Sequence, residues 1–461
     1  MDYGHRISTL ELYDRLLDGK KVSESHWDYN VIPKNAARMK EKYKIKFSDK
    51  IIPENHDLTD KLFSAGVEML ATTGFYCPDL GKRMSVTEEE ILEGIERAPR
   101  KVKQGSGNNA SYIEARHGTA RRRPFVYGGP TATPVSEDIY LKVMQSYAQE
   151  TIVDALFNGT LNTLSGTKYK PNTPYEIYAV MKEIKYSDMA RINCGRPGLA
   201  MLGPESGLST GSRISAGLPN FGLRPCDARD IPQRNEMKID YICLNMLASS
   251  EINGDVIMCE ELPIFGGYCG GAEETAICDV AMTLASFVLF GADMHTDGPI
   301  HIRWGVTSSR DTLKVLAHTA VALDTNTDAL LGSMYYTHAG PSTEMCYLEN
   351  AAQAIVDAVT GREYIMTCAS AKGVELDRVS GMEARFAGKA AQSAAGMSVF
   401  EANEILDELT MYYEPLYGTP MEGKTFQECY NMDTLRPVDD SVKIYSRAVE
   451  RVRDLGLDMR F

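Results

Sequence analysis

The sequence predicts a (β/α)8 TIM barrel with additional helices before and after it. The chain has 461 residues, of which 43% are hydrophobic and 24% charged, which is enough apolar surface for a large folded core. From residue 121 onward, short apolar runs alternate with amphipathic stretches, a pattern that indicates βαβ crossovers and a parallel sheet. About eight such units favour a closed barrel over an open doubly wound sheet. We expect a helical segment over 1–120, the barrel over 121–400 and C-terminal helices over 401–461.

The N-terminal segment carries apolar residues at three- and four-residue spacing, which is typical of helices that bury one face. Asp57 and Ser85 stand at positions suited to helix N-caps. The candidate helices of this segment are residues 9–17, 33–44, 58–72 and 86–98.

In the barrel region, the candidate strands are short apolar or β-branched runs that end in Gly, Asn or an acid, and an amphipathic helix follows each. The candidate strands are residues 125–127, 155–158, 190–194, 241–246, 255–259, 287–290, 329–332 and 364–368. The candidate helices are residues 136–150, 174–186, 273–285, 310–322, 343–359 and 381–395. Because barrel enzymes carry their chemistry at the C-terminal ends of the strands, the residues that follow each strand are the candidates for a site.

Charge and cysteine usage exclude several classes of protein. The 49 basic and 63 acidic residues give a net charge of −14, which repels nucleic acid and anionic membranes. The 10 cysteines are scattered without a CxxC pair, as expected of reduced thiols in the cytosol. The longest nearly apolar run, 281–294, is too short to cross a bilayer, and the charged N-terminus does not resemble an export signal. We therefore expect a cytoplasmic protein without nucleic-acid or membrane partners.

Two segments carry groups suited to a small-molecule site. A glycine-rich stretch at 263–271 follows a strand region that includes Glu260, and glycines let the backbone approach a ligand closely. A tight structural turn is the alternative reading of these glycines. Tyr336 and His338 follow another strand, where histidine can serve as acid or base near neutral pH. A histidine held by backbone carbonyls is the alternative for His338.

The stretch from Asp293 to Gly298 matches the D-x-H-x-x-G pattern in which histidine is a lower cobalt ligand. The segments that accompany this pattern in small cobalamin domains do not follow it here. We therefore interpret His295 as structural and assign no cofactor and no metal to this chain, since carboxylate and cysteine partners at usable spacing are missing.

Eight further motifs are spread over most of the chain. They lie at residues 195–198, 203–205, 260–271, 297–305, 335–346, 371–373, 381–385 and 424–430. Together they resemble the monomethylamine methyltransferases of methanogens, nearly from end to end. The resemblance implies a (β/α)8 barrel, a homohexamer, and methyl transfer from an amine to the Co(I) corrinoid, a cobalamin-type cofactor, of a separate partner protein.

Leu202 stands where this family has pyrrolysine, whose ring imine is thought to capture the amine. The resemblance assigns Glu260 to a glutamate of the family and Asp230 to the place of a second one, while Met334 replaces a glutamine near the pyrrolysine ring. A leucine side chain can neither form an adduct nor hydrogen-bond a substrate. We interpret Leu202, Glu260 and Asp230 as the reaction centre, with Met334, Tyr336 and His338 binding the substrate.

Three accounts of function remain open from the sequence. In the first, the chain demethylates an N-methyl donor that needs no imine, such as a quaternary ammonium. In the second, it binds an amine without turnover, or it is a monomethylamine methyltransferase whose pyrrolysine is absent from this chain. In the third, it is a barrel lyase or hydrolase using Glu260 and His338, although no nucleophile or metal set accompanies them.

Overall fold

The computed structural model describes residues 7–419 and 421–459 and contains a closed barrel of eight parallel strands. Each strand pairs with the next along the chain, and the last strand pairs with the first. The strands are β1 Phe125–Gly128, β2 Ala155–Phe157, β3 Ala200–Gly203, β4 Ala228–Pro232, β5 Val256–Glu261, β6 Met294–Asp297, β7 Leu331–Tyr336 and β8 Tyr364–Ala369. The predicted (β/α)8 fold is therefore confirmed.

A helix follows every barrel strand, as the crossover geometry of a parallel barrel requires. These helices are α1 Tyr140–Ala148, α2 Pro174–Asn193, α3 Thr210–Ser215, α4 Tyr241–Asn253, α5 Ala272–Val288, α6 Arg310–Asn326, α7 Glu344–Val359 and α8 Gly381–Ala394. Two small two-stranded sheets extend the loops between strand and helix, one formed by Pro134–Val135 and Thr160–Leu161, the other by Ile264–Phe265 and Ile300–His301.

The N-terminal helices pack on one side of the barrel. His56–Thr73 lies against α5 and α6, and it joins one hydrophobic cluster with α5. This packing buries α5 on all sides, from Thr275 to Val288. The helices of this segment are Thr9–Leu17, Glu24–His26, Ile32–Tyr43, His56–Thr73 and Glu88–Glu96, with a π-helical turn at Trp27–Val31.

Short strands complete the N-terminal segment. Lys20–Lys21, Phe75–Cys77 and Lys82–Met84 form a three-stranded sheet, and Lys101–Gln104 pairs with Ser111–Glu114. The helix caps differ from the prediction, because Asn55 and Thr87 cap the two helices instead of Asp57 and Ser85. Thr87 forms a capping box with Glu90, which satisfies two backbone N–H groups at once.

The C-terminal helices, Val399–Tyr413, Phe426–Cys429 and Asp439–Asp454, follow the barrel. The first and last of these pack on α7. Between them, the chain runs beside the loop that follows β7: the Gly340 N–H donates to the Met421 carbonyl at 2.7 Å, and the Lys424 N–H donates to the Pro341 carbonyl at 2.9 Å. The division into three parts at residues 120 and 400 stays a prediction.

Three predicted strands are wrong, because helices continue through them. Residues 190–194 end α2, which runs on until Gly195 adopts a positive φ of 69°. Residues 241–246 begin α4, whose N-terminus is capped by the Asp240 side chain. Residues 287–290 include the end of α5, which stops before Gly291.

The strands that replace them in the barrel are β3, β4 and β6. They are short, and the charged residues Arg229 and Asp230 interrupt the run of apolar residues by which a buried strand such as β4 is usually recognised. Arg229 is nevertheless buried on the outer side of the barrel. Its charge is compensated there, because its Nε donates to Asp255 at 2.8 Å. Among the described residues, no helix is long and apolar enough to span a membrane. Each of the ten cysteines is a free thiol.

Candidate active site at the barrel mouth

Three carboxyl groups meet at the C-terminal ends of neighbouring strands. Glu205 follows β3, Asp230 lies on β4 and Glu260 lies on β5. Glu260 shares its strand face with Met258, which belongs to the hydrophobic cluster inside the barrel, because alternate residues of a strand point the same way. Asp230 is 2% exposed and Glu205 is 6% exposed. We call these three side chains the carboxyl triad.

Burial raises the proton affinity of all three members of the carboxyl triad. Burial, followed by the charge of Asp230, raises the pKa of both Glu205 and Glu260 well above the usual range. Burial also raises the pKa of Asp230, which lies within hydrogen-bonding reach of the other two carboxyls. Oε1 of Glu205 and Oδ1 of Asp230 have no hydrogen-bond partner among the described residues. The close approach of the buried carboxyls therefore favours protonation of the triad.

Arg213 on α3 supplies the positive charge beside the carboxyl triad. Its guanidinium donates a hydrogen bond to the Pro204 carbonyl, and its charge lowers the pKa of Glu205, Asp230 and Glu260. The position of the guanidinium thus links the triad to the turn that carries Glu205.

Glu183 on α2 holds the turn after β3 that carries Glu205. It is fully buried and accepts hydrogen bonds from the Glu205 N–H at 3.0 Å and from the Ser206 N–H at 2.7 Å. The Asn158 side chain donates to the same carboxylate at 2.9 Å. The turn after β3 is therefore held rigidly, and with it the position of the Glu205 side chain.

Apolar and aromatic side chains form the wall below the triad. Leu202 on β3 is fully buried and Met334 on β7 is 2% exposed, and both belong to the cluster inside the barrel. Tyr336 packs against this cluster. Burial and the charges of Glu260, Glu205 and Asp230, in that order, raise the pKa of Tyr336, so its hydroxyl lies close to all three carboxyls.

His338 lies on the loop after β7, beside the C-terminal segment. Its Nε2–H donates to the Thr419 carbonyl at 3.0 Å, and its ring is 5.3 Å from that of Tyr417. Burial lowers the pKa of His338, which keeps the ring neutral at neutral pH. The structure thus groups Leu202, Asp230, Glu260 and Tyr336, while the contacts of His338 are with the C-terminal segment.

The histidine of the D-x-H-x-x-G pattern is not placed to hold a cobalt ion. His295 lies on β6 with no exposed surface, and its Nδ1 is 2.8 Å from the Ser286 hydroxyl. Burial lowers its pKa to about 3. Of the described residues, no group of three or more His, Cys, Asp or Glu side chains has the geometry of a metal site.

A pocket of about 300 Å³ opens beside Glu260 and connects it to the surface. Gln233, Asn235 and Lys238, from the loop after β4, line it. The Lys238 ammonium is paired with Asp28 at 2.7 Å. A small ligand therefore has a polar route to Glu260, the member of the carboxyl triad that lines this pocket.

Sequence reasoning missed Glu205 and Arg213. Glu205 belongs to the Gly-Pro-Glu motif at 203–205, and its position directly after a strand is the signal that identifies it. Arg213 gave no such signal, because it lies within the short helix α3 and reaches the triad only through the fold.

Comparison with known proteins identifies the family that this chain resembles. The family model described as monomethylamine methyltransferase MtmB matches residues 7–457. Monomethylamine methyltransferase MtmB2 of Methanosarcina acetivorans is 41% identical over 457 residues, which cover 99% of this chain and 100% of the relative. The MtmB of Methanosarcina mazei is 40% identical over the same share of both chains.

Solved structures agree with the sequence comparison. The crystal structure of the Methanosarcina barkeri monomethylamine methyltransferase matches with a TM-score of 0.96 and 40% identity, covering 98% of this chain and 99% of that chain. The crystal structure of the hydroxylamine MtmB complex matches equally well. With the same fold and this identity over nearly its whole length, the chain belongs to the monomethylamine methyltransferase MtmB family.

Proposed function

We propose that this chain transfers a methyl group from a cationic N-methyl compound other than monomethylamine to the corrinoid of a separate corrinoid protein. The observation that carries the proposal is a fully buried leucine, Leu202, in a site whose carboxyl groups include Asp230 and Glu260. The pocket attracts a cation, whereas Leu202 offers no electrophile for a primary amine. A donor whose nitrogen departs as a neutral amine needs no such electrophile.

The residues of this chain bind and orient the donor. Asp230 and Glu260 supply negative charge to the site. Because a buried carboxylate is costly without a positive or hydrogen-bonding partner, these two side chains favour a cationic donor. The ring of Tyr336 attracts an alkylammonium group by about 0.5 to 2 kcal/mol. Leu202 and Met334 form an apolar wall that leaves room for a donor bulkier than monomethylamine.

The corrinoid of the partner protein supplies the cobalt nucleophile that accepts the methyl group. This chain contributes orientation and the exclusion of water, which together lower the barrier of a two-component reaction. We further propose a cytoplasmic homohexamer, on the strength of the family resemblance.

Methyl transfer to reduced corrinoid protein tests the proposal. The purified chain is mixed with its corrinoid protein in the Co(I) state, and the visible spectrum is followed with mono-, di- and trimethylamine, tetramethylammonium and betaines. We expect transfer from a tertiary or quaternary donor and none from monomethylamine. Turnover of monomethylamine by protein whose Leu202 is confirmed by mass spectrometry contradicts the proposal.

Substitution of Glu260 tests the same site by binding. Calorimetry with the best donor is expected to show that Glu260→Gln weakens binding by about 1.5 kcal/mol or more, because a hydrogen bond to a charged group contributes that much. Glu89→Gln, on an exposed turn of Glu88–Glu96, is the matched control and is expected to bind normally. Unchanged affinity in Glu260→Gln places the donor elsewhere, and binding without transfer supports the alternative of an amine-binding homologue.

A further inference from the structure

Glu205 is a buried carboxyl whose surroundings favour a ligand over a structural partner. Its backbone N–H is held by Glu183, but Oε1 of its side chain has no hydrogen-bond partner among the described residues. Two other buried carboxylates show the contrast: Glu183 accepts from the side chain of Asn158 and the backbone N–H groups of Glu205 and Ser206, and Glu349 accepts two backbone N–H groups. An unsatisfied buried acceptor is rare in folded proteins and requires an explanation.

The charges around Glu205 come from four neighbouring elements. Asp230 on β4, Glu260 on β5 and Glu183 on α2 face it with negative charge, and Arg213 on α3 faces it with positive charge. Tyr336 on β7 faces the same group with a phenol hydroxyl.

Ionisation of all three triad carboxyls beside one guanidinium would leave two uncompensated negative charges in a largely buried site. Such an arrangement is expensive, so the triad retains protons until another cation arrives. Asp230 lies within hydrogen-bonding reach of the other two carboxyls, and these contacts lower its pKa while its charge raises theirs, so the retained protons favour Glu205 and Glu260.

We propose that Glu205 is a third cation-binding residue, and that an ammonium ligand enters the carboxyl triad in exchange for a proton. The inference rests on the proposed function, in that the triad is taken as the donor site. The exchange balances in charge: one carboxylic O–H releases its proton to the solvent, and the ligand brings one positive charge into its place. No bond of the ligand is made or broken in this step.

The exchange explains how one pocket can bind a cation tightly without remaining highly charged when empty. It also favours a cationic ligand over a neutral one, because a neutral amide brings no charge to replace that of the proton. Glu205 thereby contributes to substrate selection.

Calorimetry with tetramethylammonium chloride tests the exchange, because this probe carries no proton of its own. Titrations at pH 7 in phosphate and in Tris, whose heats of ionisation differ, give the number of protons released per cation bound. We expect a release of about one proton by the unmodified protein. Glu205→Gln is expected to weaken binding about tenfold and to reduce the release, and Glu205→Asp is expected to recover part of both.

Circular dichroism verifies that both variants fold, and Glu89→Gln again serves as the matched control. Equal heats in the two buffers overturn the exchange, and so does unmodified behaviour of Glu205→Gln. Failure of tetramethylammonium to bind between pH 6 and 9 overturns it as well. The proposed function is judged separately by methyl transfer: transfer that persists in Glu205→Gln with normal affinity leaves the function standing and removes Glu205 from the site.

Discussion

Leu202 combines a structural and a functional role in a single side chain. It is fully buried inside the barrel, where it packs with Met258, Met294 and Met334. Methionine side chains are flexible and fill irregular gaps, so this part of the barrel adapts to a ligand more easily than a core of branched residues does. The residue at position 202 therefore sets both the depth of the pocket and the packing beneath it.

Leu202→Ala is expected to lower the free energy of unfolding by about 2 to 5 kcal/mol, the usual cost of a buried Leu-to-Ala cavity. Urea unfolding measures the change. Leu10→Ala, at a position that is 76% exposed, is the matched control and is expected to change stability by less than about 0.5 kcal/mol. A cost below about 1 kcal/mol for Leu202→Ala would show that the methionines collapse into the space.

At the scale of elements, the Glu349 side chain on α7 accepts hydrogen bonds from two loops of the barrel mouth. The Ser308 hydroxyl donates to it at 2.6 Å, and the backbone N–H groups of His338 and Ala339 donate to it at 2.8 and 3.0 Å. The loops after β6 and β7 are therefore held by one buried side chain. Because His338 in turn contacts Thr419, the same side chain also positions the C-terminal segment.

Glu349→Ala is expected to cost about 2 to 6 kcal/mol of stability, because two buried N–H groups lose their acceptor at about 1 to 3 kcal/mol each. Hydrogen exchange of residues 337–340 is expected to accelerate more than exchange in the barrel strands. Glu349→Gln keeps an acceptor oxygen and is expected to have an intermediate effect. Exchange that is unchanged at this loop in Glu349→Ala would contradict the role of the side chain.

Helices were easier to predict than strands because their apolar spacing extends over several turns. The helix at Thr9–Leu17 agrees with its prediction residue for residue, whereas β3, β4 and β6 were missed. A barrel strand of four or five residues is too short to show a period, and buried ion pairs such as Arg229 with Asp255 disguise its burial.

The site was predictable only in part. Asp230 and Leu202 came from the family resemblance, since they lie on strands that the apolar pattern does not reveal. Glu260 followed from its position at the end of a strand that was recognised. Arg213 required the fold, because α3 brings it to the triad from a stretch without a chemical signature.

At the scale of the whole molecule, buried titratable groups set the pH range of stability. Burial lowers the pKa of His295 to about 3 and of His318 to about 4, both from 6.5. Because the unfolded chain binds these protons near pH 6.5, the stability from neutral burial is complete above that pH and declines below it. Burial raises the pKa of Glu349 and Asp357 to about 7 and of Glu363 to about 8. These carboxyls therefore have the opposite effect: their contribution to stability declines as the pH rises.

The melting temperature is expected to fall between pH 6.5 and 8.5. In this range the unfolded chain has already released the carboxyl protons that the folded chain still holds, so a rise in pH favours unfolding. Scanning calorimetry measures the trend, and Glu363→Gln is expected to make it shallower. A melting temperature that rises over this range would contradict the assignment.

The complete burial of α5 has a consequence for biosynthesis. His56–Thr73 leaves the ribosome early, yet α5, against which it packs, is made far later in the chain. With synthesis at about 5 to 20 residues per second, the roughly 200 intervening residues take about 10 to 40 s. During that interval Ile32–Tyr43 and Glu88–Glu96 can already pack on the early helix, but the part of its surface that contacts α5 has no partner. We expect chaperones to shield that surface until the fifth barrel unit emerges.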